Sequence, residues 1–373
     1  MLYIHIPFCR QLCAYCDFYF SMSLERKAQM LAALEREMEE RQDYLPFFHL
    51  PATLYIGGGT PSVLTPDELQ ALIQKARHIF SVESFSELTV EVNPDDVTRD
   101  YAKQLRMMGV NRLSIGIQSF QTHHLKQLRR RHSAAQAIAC VKAVQDAGFE
   151  NISIDLMYGL PHQSSDEWQR DVTQALSFNV PHISAYHLTI EPKTLFGKQQ
   201  AKGTLSLPDE ETGVQQFAFL HTALENAGYT HYEVSNFARP GFQAMHNSGY
   251  WQGVPYIGLG PSAHSYNGKS RQWNVANNLR YLHAIENGLP AFETETLTRE
   301  MHYNEYILTS LRTAAGADLQ HIAQTFGEPF LRHCLQQAKK YLFHGQLIQH
   351  DRQLQIPPTH FIVSDEIIRD LIC

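Results

Sequence analysis

Over its first 190 residues the chain alternates repeatedly between a short β-type run and a helix-type stretch. The strand candidates are Tyr3–Pro7, Thr53–Ile56, Leu88–Val92, Arg112–Ile117, Ile152–Leu156 and Ile183–Leu188. They are rich in Val, Ile and Tyr and are bounded by Gly, Pro or Asn. Helical periodicity runs through Leu24–Gln42, Pro66–Phe80, Asp100–Met108, Ala134–Ala147 and Ser165–Phe178. In the second of these Thr65 suits the cap, Pro66 the first turn, and Asp67 and Glu68 the positive end of the helix dipole. Such alternation implies right-handed crossovers and a parallel sheet. Distinctive polar residues recur at the C-terminal ends of several strands: Cys9, Gly57–Pro61, Asn93 and Gln118. Barrel enzymes place their chemistry on that rim, so the expected fold is an α/β partial barrel of six strand–helix units.

Domain 1–235 takes in the barrel, a helix over 208–228 and a strand at Tyr229–Val234. Residues 236–288 form an expected irregular segment over the barrel, rich in Gly, Pro, Asn and aromatics up to residue 275. Residues 289–373 change pattern again. Glu300–Thr313, Asp318–Phe326 and Phe330–His344 read as helices, and 345–356 as a hairpin, which together suggest a smaller winged-helix-like domain. That stretch carries 7 Lys and Arg against 10 Asp and Glu, a balance of −3. The whole chain carries a formal charge of −7. Neither suits a dedicated nucleic-acid binder, so docking is the expected role of the last domain and no nucleic-acid partner is expected. No apolar run approaches a membrane span and no secretory leader is visible.

Cys9, Cys13 and Cys16 stand in one tight C-x3-C-x2-C run. A disulfide framework calls for an even set in a secreted chain. Structural zinc calls for a fourth Cys or His in register, and His5 lies on the wrong side of a strand-like run. Three thiolates this close suit three irons of a [4Fe-4S] cluster and leave the fourth iron open to a chelating ligand. Cys140 and Cys334 read as packing residues and Cys373 as a loose terminus. Unpaired cysteines and an oxygen-sensitive cluster both fit a reducing cytoplasm.

Gly57-Gly58-Gly59-Thr60-Pro61 follows the second strand, and consecutive glycines let backbone approach a ligand closely. With the cysteine trio, this segment resembles the radical S-adenosylmethionine (SAM) superfamily. Further segments narrow the likeness: Glu91-Val-Asn-Pro94, Asn111–Phe120, Asp155–Pro161, Thr189-Ile-Glu-Pro192 and Gly258–His264. Together they resemble the branch of oxygen-independent coproporphyrinogen III oxidase and its relatives, over nearly the whole chain. The resemblance implies a partial (β/α)6 radical SAM barrel. It implies Cys9, Cys13 and Cys16 as cluster ligands. It further implies Tyr3, Gly58, Gly59, Thr60, Glu91, Gln118, Arg130 and Asp155 as SAM contacts. The residue types agree: carboxylates suit a cation or a ribose diol, and a guanidinium suits a carboxylate.

Within that branch three features favour the HemW-type heme chaperones over the oxidase. Phe18 stands where the oxidases carry a fourth cysteine. The chain starts at Met1, two residues before Tyr3, where the oxidases carry an N-terminal extension. His246-Asn-Ser-Gly-Tyr-Trp251 matches the His-Asn-x-x-Tyr-Trp signature of the chaperones. From the residues alone His246 suits a core histidine beside two packed aromatics; the resemblance implies instead that His246, Tyr250 and Trp251 contact heme b.

Two functions follow. The first is a heme carrier that passes heme to an acceptor hemoprotein, a respiratory enzyme at the membrane being one candidate, with cluster and SAM as a structural or regulatory element of a homodimer. Its expected place is the cytoplasm, with peripheral contact at the membrane. The second is the oxidase, which converts two propionates of coproporphyrinogen III to vinyls with loss of CO2.

Overall fold

Six strands form where the sequence predicts them: β1 (Leu2–Ile6), β2 (Thr53–Gly58), β3 (Glu87–Val92), β4 (Arg112–Gln118), β5 (Asn151–Tyr158) and β6 (His182–His187). They pair in parallel in chain order. A seventh short strand, Ile257–Leu259, pairs in parallel with the free edge of β1. β1 and β6 are not neighbours, so the barrel stays open. The structure is a computed structural model and describes residues 1–46 and 51–373. The chain divides into two compact units, Met1–Gln216 with Pro255–Glu295, and Phe217–Val254 with Thr296–Cys373.

The helices between the strands are α1 (Lys27–Glu40), α2 (Pro66–Ile79), α3 (Arg99–Met107), α4 (Thr122–Gln127), α5 (Ala134–Asp146) and α6 (Ser165–Ser177). Three begin with a reciprocal capping box: Thr65 with Glu68, Ser133 with Gln136, and Ser164 with Glu167. Each box satisfies two backbone donors that the first turn leaves orphaned. The short α4 was not anticipated; six residues give too little periodicity to read.

Strand alternation decides what the sheet presents. One face carries Leu2, Ile4, Ile6, Leu54, Ile56, Leu88, Val90, Leu113, Ile115, Ile152 and Ile154, all buried. The opposite face carries Tyr3 and His5 on β1, Thr89 and Glu91 on β3, and Arg112, Ser114 and Gly116 on β4. It continues with Ser153, Asp155 and Met157 on β5, and His182, Ser184 and Tyr186 on β6. The register aligns these rows: Glu91 faces Ser114, Ser114 faces Ser153, Gly116 faces Asp155, and Asp155 faces Ser184. Side chains that alternate with period two therefore put the apolar set on one face and a polar set on the other. The polar interior rises to the C-terminal rim.

Residues 255–295 are tied to α1 by a buried ion pair. Glu37 Oε1 accepts from Arg41 Nη1 at 2.9 Å and Asn274 Nδ2 at 2.7 Å. Its Oε2 accepts from Tyr281 OH at 2.6 Å and the Gly260 amide at 2.8 Å. Arg41 in turn donates to Gly258 O, Ser265 Oγ and Gln272 Oε1. Every partner outside α1 lies in 255–295, so this network fixes the seventh strand and the helix Asn278–Glu286 against the barrel.

The second unit holds an antiparallel pair, Thr230–Glu233 with Asn236–Ala238, and helices Met245–Trp251, Arg299–Ser310, Glu328–Phe343 and Ser364–Leu371. Ala317–Asp318, Gln353–Gln355 and Ile348–His350 form a small antiparallel sheet in that order. Helices plus this sheet agree with the winged-helix-like expectation. The expected helix Asp318–Phe326 is instead one turn, Leu319–His321, running into a wide turn, Ile322–Phe326, that ends at Gly327 with φ +94°. The stretch 236–275, expected to be irregular, contains the helix Met245–Trp251, the seventh barrel strand and a hairpin, His264–Tyr266 with Ser270–Asn274. Elements of three to seven residues do not announce themselves by periodicity. No helix among the described residues is long and apolar enough to cross a membrane.

Removing one partner of a buried ion pair leaves an uncompensated charge, so Glu37→Ala should destabilise the protein by about 3–5 kcal/mol in urea unfolding. A loss under about 1 kcal/mol would show the pair to be no more than a surface contact in effect.

Candidate functional site

A cavity of about 410 Å³ opens on the C-terminal rim. Cys9, Cys13, Cys16, Gly58, Gly59, Thr60, Glu91, Gln118, Arg130 and Asp155 all line it. Segments far apart in sequence thus converge because the parallel strands deliver their C-terminal ends to one side.

The three cysteines lie on the loop that leaves β1. Its two ends are clamped by Cys9 N–H to Ser21 O at 3.0 Å and Ser21 N–H to Pro7 O at 2.9 Å. Its middle is clamped at Ala14, whose amide donates to Leu128 O and whose carbonyl accepts from Phe196 N. Ala14 also packs with Leu128, Met157, Leu160, Leu188 and Phe196. All three thiols are unpaired and half-buried. Burial pushes the Cys9 thiol up to about 11 and the Cys16 thiol up to about 12. Thr60 Oγ1 donates to Cys9 Sγ at 3.4 Å, and Arg130 Nη1 to Cys13 Sγ at 3.6 Å. The Thr60 contact favours thiolate over thiol at Cys9. The three sulfurs do not converge to within 4.8 Å of one another, as ligands of a single ion would. A soft all-sulfur set spread more widely suits a polynuclear cluster.

The glycine turn is as tight as its sequence implies. Gly58 has φ +108°, and a Cβ there would stand 2.5 Å from Nδ1 of His5. A Cβ on Gly59 would stand 2.6 Å from Phe8 O. Glycine is therefore required at both positions. His5 supports the turn from below, with Nε2 on Tyr19 O at 2.9 Å. Tyr3 lies one layer deeper and does not line the cavity: its hydroxyl meets His5 Nδ1 at 3.1 Å. It bears on the turn through His5.

Glu91 accepts from Tyr55 OH at 2.6 Å and from the Gly58 amide at 3.2 Å. Burial, with the nearby Asp155 charge, pushes its carboxyl up to about 7 against these hydrogen bonds. Asp155 accepts from Ser114 Oγ at 3.1 and 3.0 Å and from Ser153 Oγ at 3.3 Å; burial raises its carboxyl too. Two raised carboxyls on one wall favour a cationic ligand, which would restore both to the ionised form. Arg130 Nη2 donates to Gly116 O at 2.7 Å and Asn93 Oδ1 at 2.5 Å. Its Nε is buried without a hydrogen-bond partner. Gln118 sits at a β-bulge with φ +70°, a conformation few side chains adopt and one that turns it toward the cavity.

Tyr15 and Ser114 also line the cavity and went unmarked in the sequence, and Asn93 was read only as a strand end. Ser114 was findable: it shares its strand face with Gln118, four residues on. Asn93 was findable likewise, two residues after Glu91. Tyr15 sits on the irregular cysteine loop, where no periodicity applies.

His246, Tyr250 and Trp251 belong to the second unit. They share the short helix Met245–Trp251. His246 is buried, and its Nε2 meets Tyr250 OH at 2.9 Å, the rings edge to face at 5.0 Å. Trp251 Nε1 is buried without a hydrogen-bond partner.

Comparison with known proteins places these features in context. The Radical SAM superfamily matches residues 3–175, and the HemN C-terminal domain matches residues 297–359. The heme chaperone HemW of Bacillus subtilis is 38% identical over 87% of this chain and 86% of its own length. That of Lactococcus lactis is 35% identical over 94% and 91%. The structure of coproporphyrinogen III oxidase (HemN) from Escherichia coli superposes with a TM-score of 0.85 at 23% identity, covering 100% of this chain and 89% of that one.

A cation held by Glu91 needs its carboxylate, which is present above about pH 7 and protonated below. SAM affinity of the cluster-loaded protein should therefore rise with pH, by about tenfold between pH 6 and pH 8 in calorimetry. The Glu91→Gln variant should bind weakly and show no such slope. Equal affinity at both pH values in the unsubstituted protein would place the cation elsewhere.

Proposed function

The chain belongs to the HemW family within the radical SAM superfamily, and we propose that it is a heme chaperone that binds heme b and passes it to an acceptor hemoprotein. The observation that carries this reading is the likeness to HemW proteins along most of both chains. Phe18 at the position of the oxidases' fourth cysteine supports it. The likeness to the HemN structure, at 23% identity, speaks for the fold and not for decarboxylation.

In this reading Cys9, Cys13 and Cys16 hold a [4Fe-4S] cluster. When bound, the cluster supplies an open iron that chelates SAM and a source of single electrons. The rest belongs to the chain's own residues. Gly58, Gly59 and Thr60 bring backbone close to the SAM amino group. Glu91 and Asp155 face the cation and the ribose hydroxyls. Arg130 orients the carboxylate while neutralising sulfur charge at Cys13. Gln118 closes the wall opposite, and Tyr3 holds His5 beneath the turn. The cavity positions SAM as a structural or regulatory element, with control of a homodimer part of the same proposal.

Heme is assigned to His246, Tyr250 and Trp251, a neutral imidazole beside two flat apolar faces. Ligation by Nε2 requires His246 to release Tyr250. The protein is placed in the cytoplasm, where its free cysteines stay reduced. It meets its acceptor there or at the membrane surface.

Anaerobic incubation of the cluster-loaded protein with SAM, reductant and coproporphyrinogen III should leave the tetrapyrrole mass unchanged, while the same protein binds heme stoichiometrically. Loss of two CO2 per tetrapyrrole would make it the oxidase. Two variants test the heme assignment. His246→Ala should abolish the ligand-dependent Soret shift, and Tyr250→Phe, which removes the hydroxyl that meets Nε2, should strengthen heme binding. Lowered thermal stability in both, with the Soret band unchanged, would make His246 a packing residue.

A further inference from the structure

Away from the cavity, three side chains converge at the junction of α4 and α6. His123 Nε2 lies 2.9 Å from Glu167 Oε1, and His124 Nε2 lies 3.4 Å from Glu167 Oε2. Among the described residues these are the His, Cys, Asp or Glu side chains whose ligand atoms fall within 4.8 Å of one another. The two rings lie 4.1 Å apart, tilted by 44°.

Two observations separate this group from an ordinary surface ion pair. First, His124 is fully buried, and neither ring nitrogen has a well-aligned hydrogen-bond partner. A buried imidazole left in that state costs free energy unless something else occupies its lone pair. Second, Glu167 is not a free side chain. It is the third residue of the α6 capping box, and its Oε2 accepts from the Ser164 amide and the Ser164 hydroxyl, both at 2.9 Å. Its carboxylate is thus fixed before any ligand arrives, with Oε1 turned to His123. The exposed His123 leaves the group open to solvent.

We propose that His123, His124 and Glu167 bind a divalent ion of the zinc class, with water as the fourth ligand. Ligands about 2.0–2.1 Å from a tetrahedral ion stand roughly 3.3 Å from one another, and each of the three residues offers one ligand atom within 4.8 Å of the others, so small side-chain movements close the set around an ion. Two imidazoles and one carboxylate suit zinc; calcium and magnesium call for oxygen donors throughout. The ion would give Nε2 of His124 a closer partner than the Glu167 oxygen 3.4 Å away. It would also clip α4 to α6, and α4 leads directly into Arg130, whose amide is bonded to Leu125 O at 2.8 Å. The clip therefore steadies the turn that delivers this guanidinium.

The test uses protein carrying its cluster, so that Cys9, Cys13 and Cys16 are occupied, and zinc alone as the probe. Calorimetry should show one equivalent bound. Zinc-edge X-ray absorption should show nitrogen and oxygen neighbours with imidazole scattering and no sulfur. Zinc should raise the melting temperature of the unsubstituted protein. His123→Ala, at an exposed position, and Glu167→Gln, which keeps an oxygen for the Ser164 amide, should each weaken binding about tenfold or more, since even outer-shell partners are worth that much. Without zinc both variants should melt as folded proteins. Sulfur in the zinc shell, no bound equivalent, or undiminished affinity in His123→Ala would overturn the proposal.

Discussion

One guanidinium holds the rim together. Arg130 reaches the carbonyl of Gly116 on β4, the side chain of Asn93 beyond β3, and the sulfur of Cys13 on the loop after β1. β3 and β4 are already joined by their ladder up to Val92 and Ile115, and the cation adds the cysteine loop to that pair alongside the Thr60 hydroxyl, which donates to Cys9 and accepts from Asn93. Its charge is compensated partly by the carbonyl and amide dipoles and partly by whatever negative charge develops on sulfur. Thiols offer little; thiolates offer a great deal. An anionic sulfur at Cys13 would complete that compensation, which is what the proposed cluster would supply.

The need for such compensation follows from the inner face of the sheet. A parallel barrel usually fills its interior with branched apolar side chains. Here β3, β4, β5 and β6 place Thr, Glu, Arg, Ser, Asp and His inward instead, and the hydrophobic stabilisation is carried by the other face. Many of these polar groups pair with one another: Tyr55 with Glu91, Ser114 and Ser153 with Asp155, Ser153 with the ring of His182 at 2.8 Å. Neutral donors around carboxyls stabilise them without cancelling their charge. A cation entering from the rim meets two carboxyls that burial has raised and that have no cationic partner of their own within hydrogen-bond reach.

The architecture was readable because βαβ repetition is a pattern of many residues. Six strands and the long helices each span enough residues for alternation or 3.6-residue periodicity to show. The rim was readable because each motif ends a strand, and topology alone brings strand ends together. What escaped was short or nonlocal. Ile257–Leu259 joins the sheet through pairing with β1, a contact between residues some 250 positions apart, and three residues carry no period. The tie between Glu37 and residues 258–281 is of the same kind. Tyr3 lies on the face the pattern predicts, yet a layer below the cavity, because depth along a strand depends on where the ligand sits and not on alternation. His246 fell on a helix in a stretch that looked irregular, and its hydrogen bond to Tyr250 is a simple i to i+4 pairing that the helix creates.

Cavity size bears on which of the two porphyrin-related functions this chain performs. At about 410 Å³ the rim cavity lies toward the small end of ligand pockets. Its lining joins the cysteine loop, the glycine turn and the carboxylate wall with Phe18, Tyr186 and Thr189. An oxidase must bring a propionate of its tetrapyrrole against SAM in that same space, with the macrocycle held alongside. A carrier faces no such demand, because its heme need never approach the cysteines. The carboxylates of Glu91 and Asp155 and the guanidinium of Arg130 give the walls around the cysteines charges of both signs, which suits a small zwitterion. Carriage rests on the likeness to the HemW chaperones along most of both chains, and a small cavity with charged walls is compatible with it.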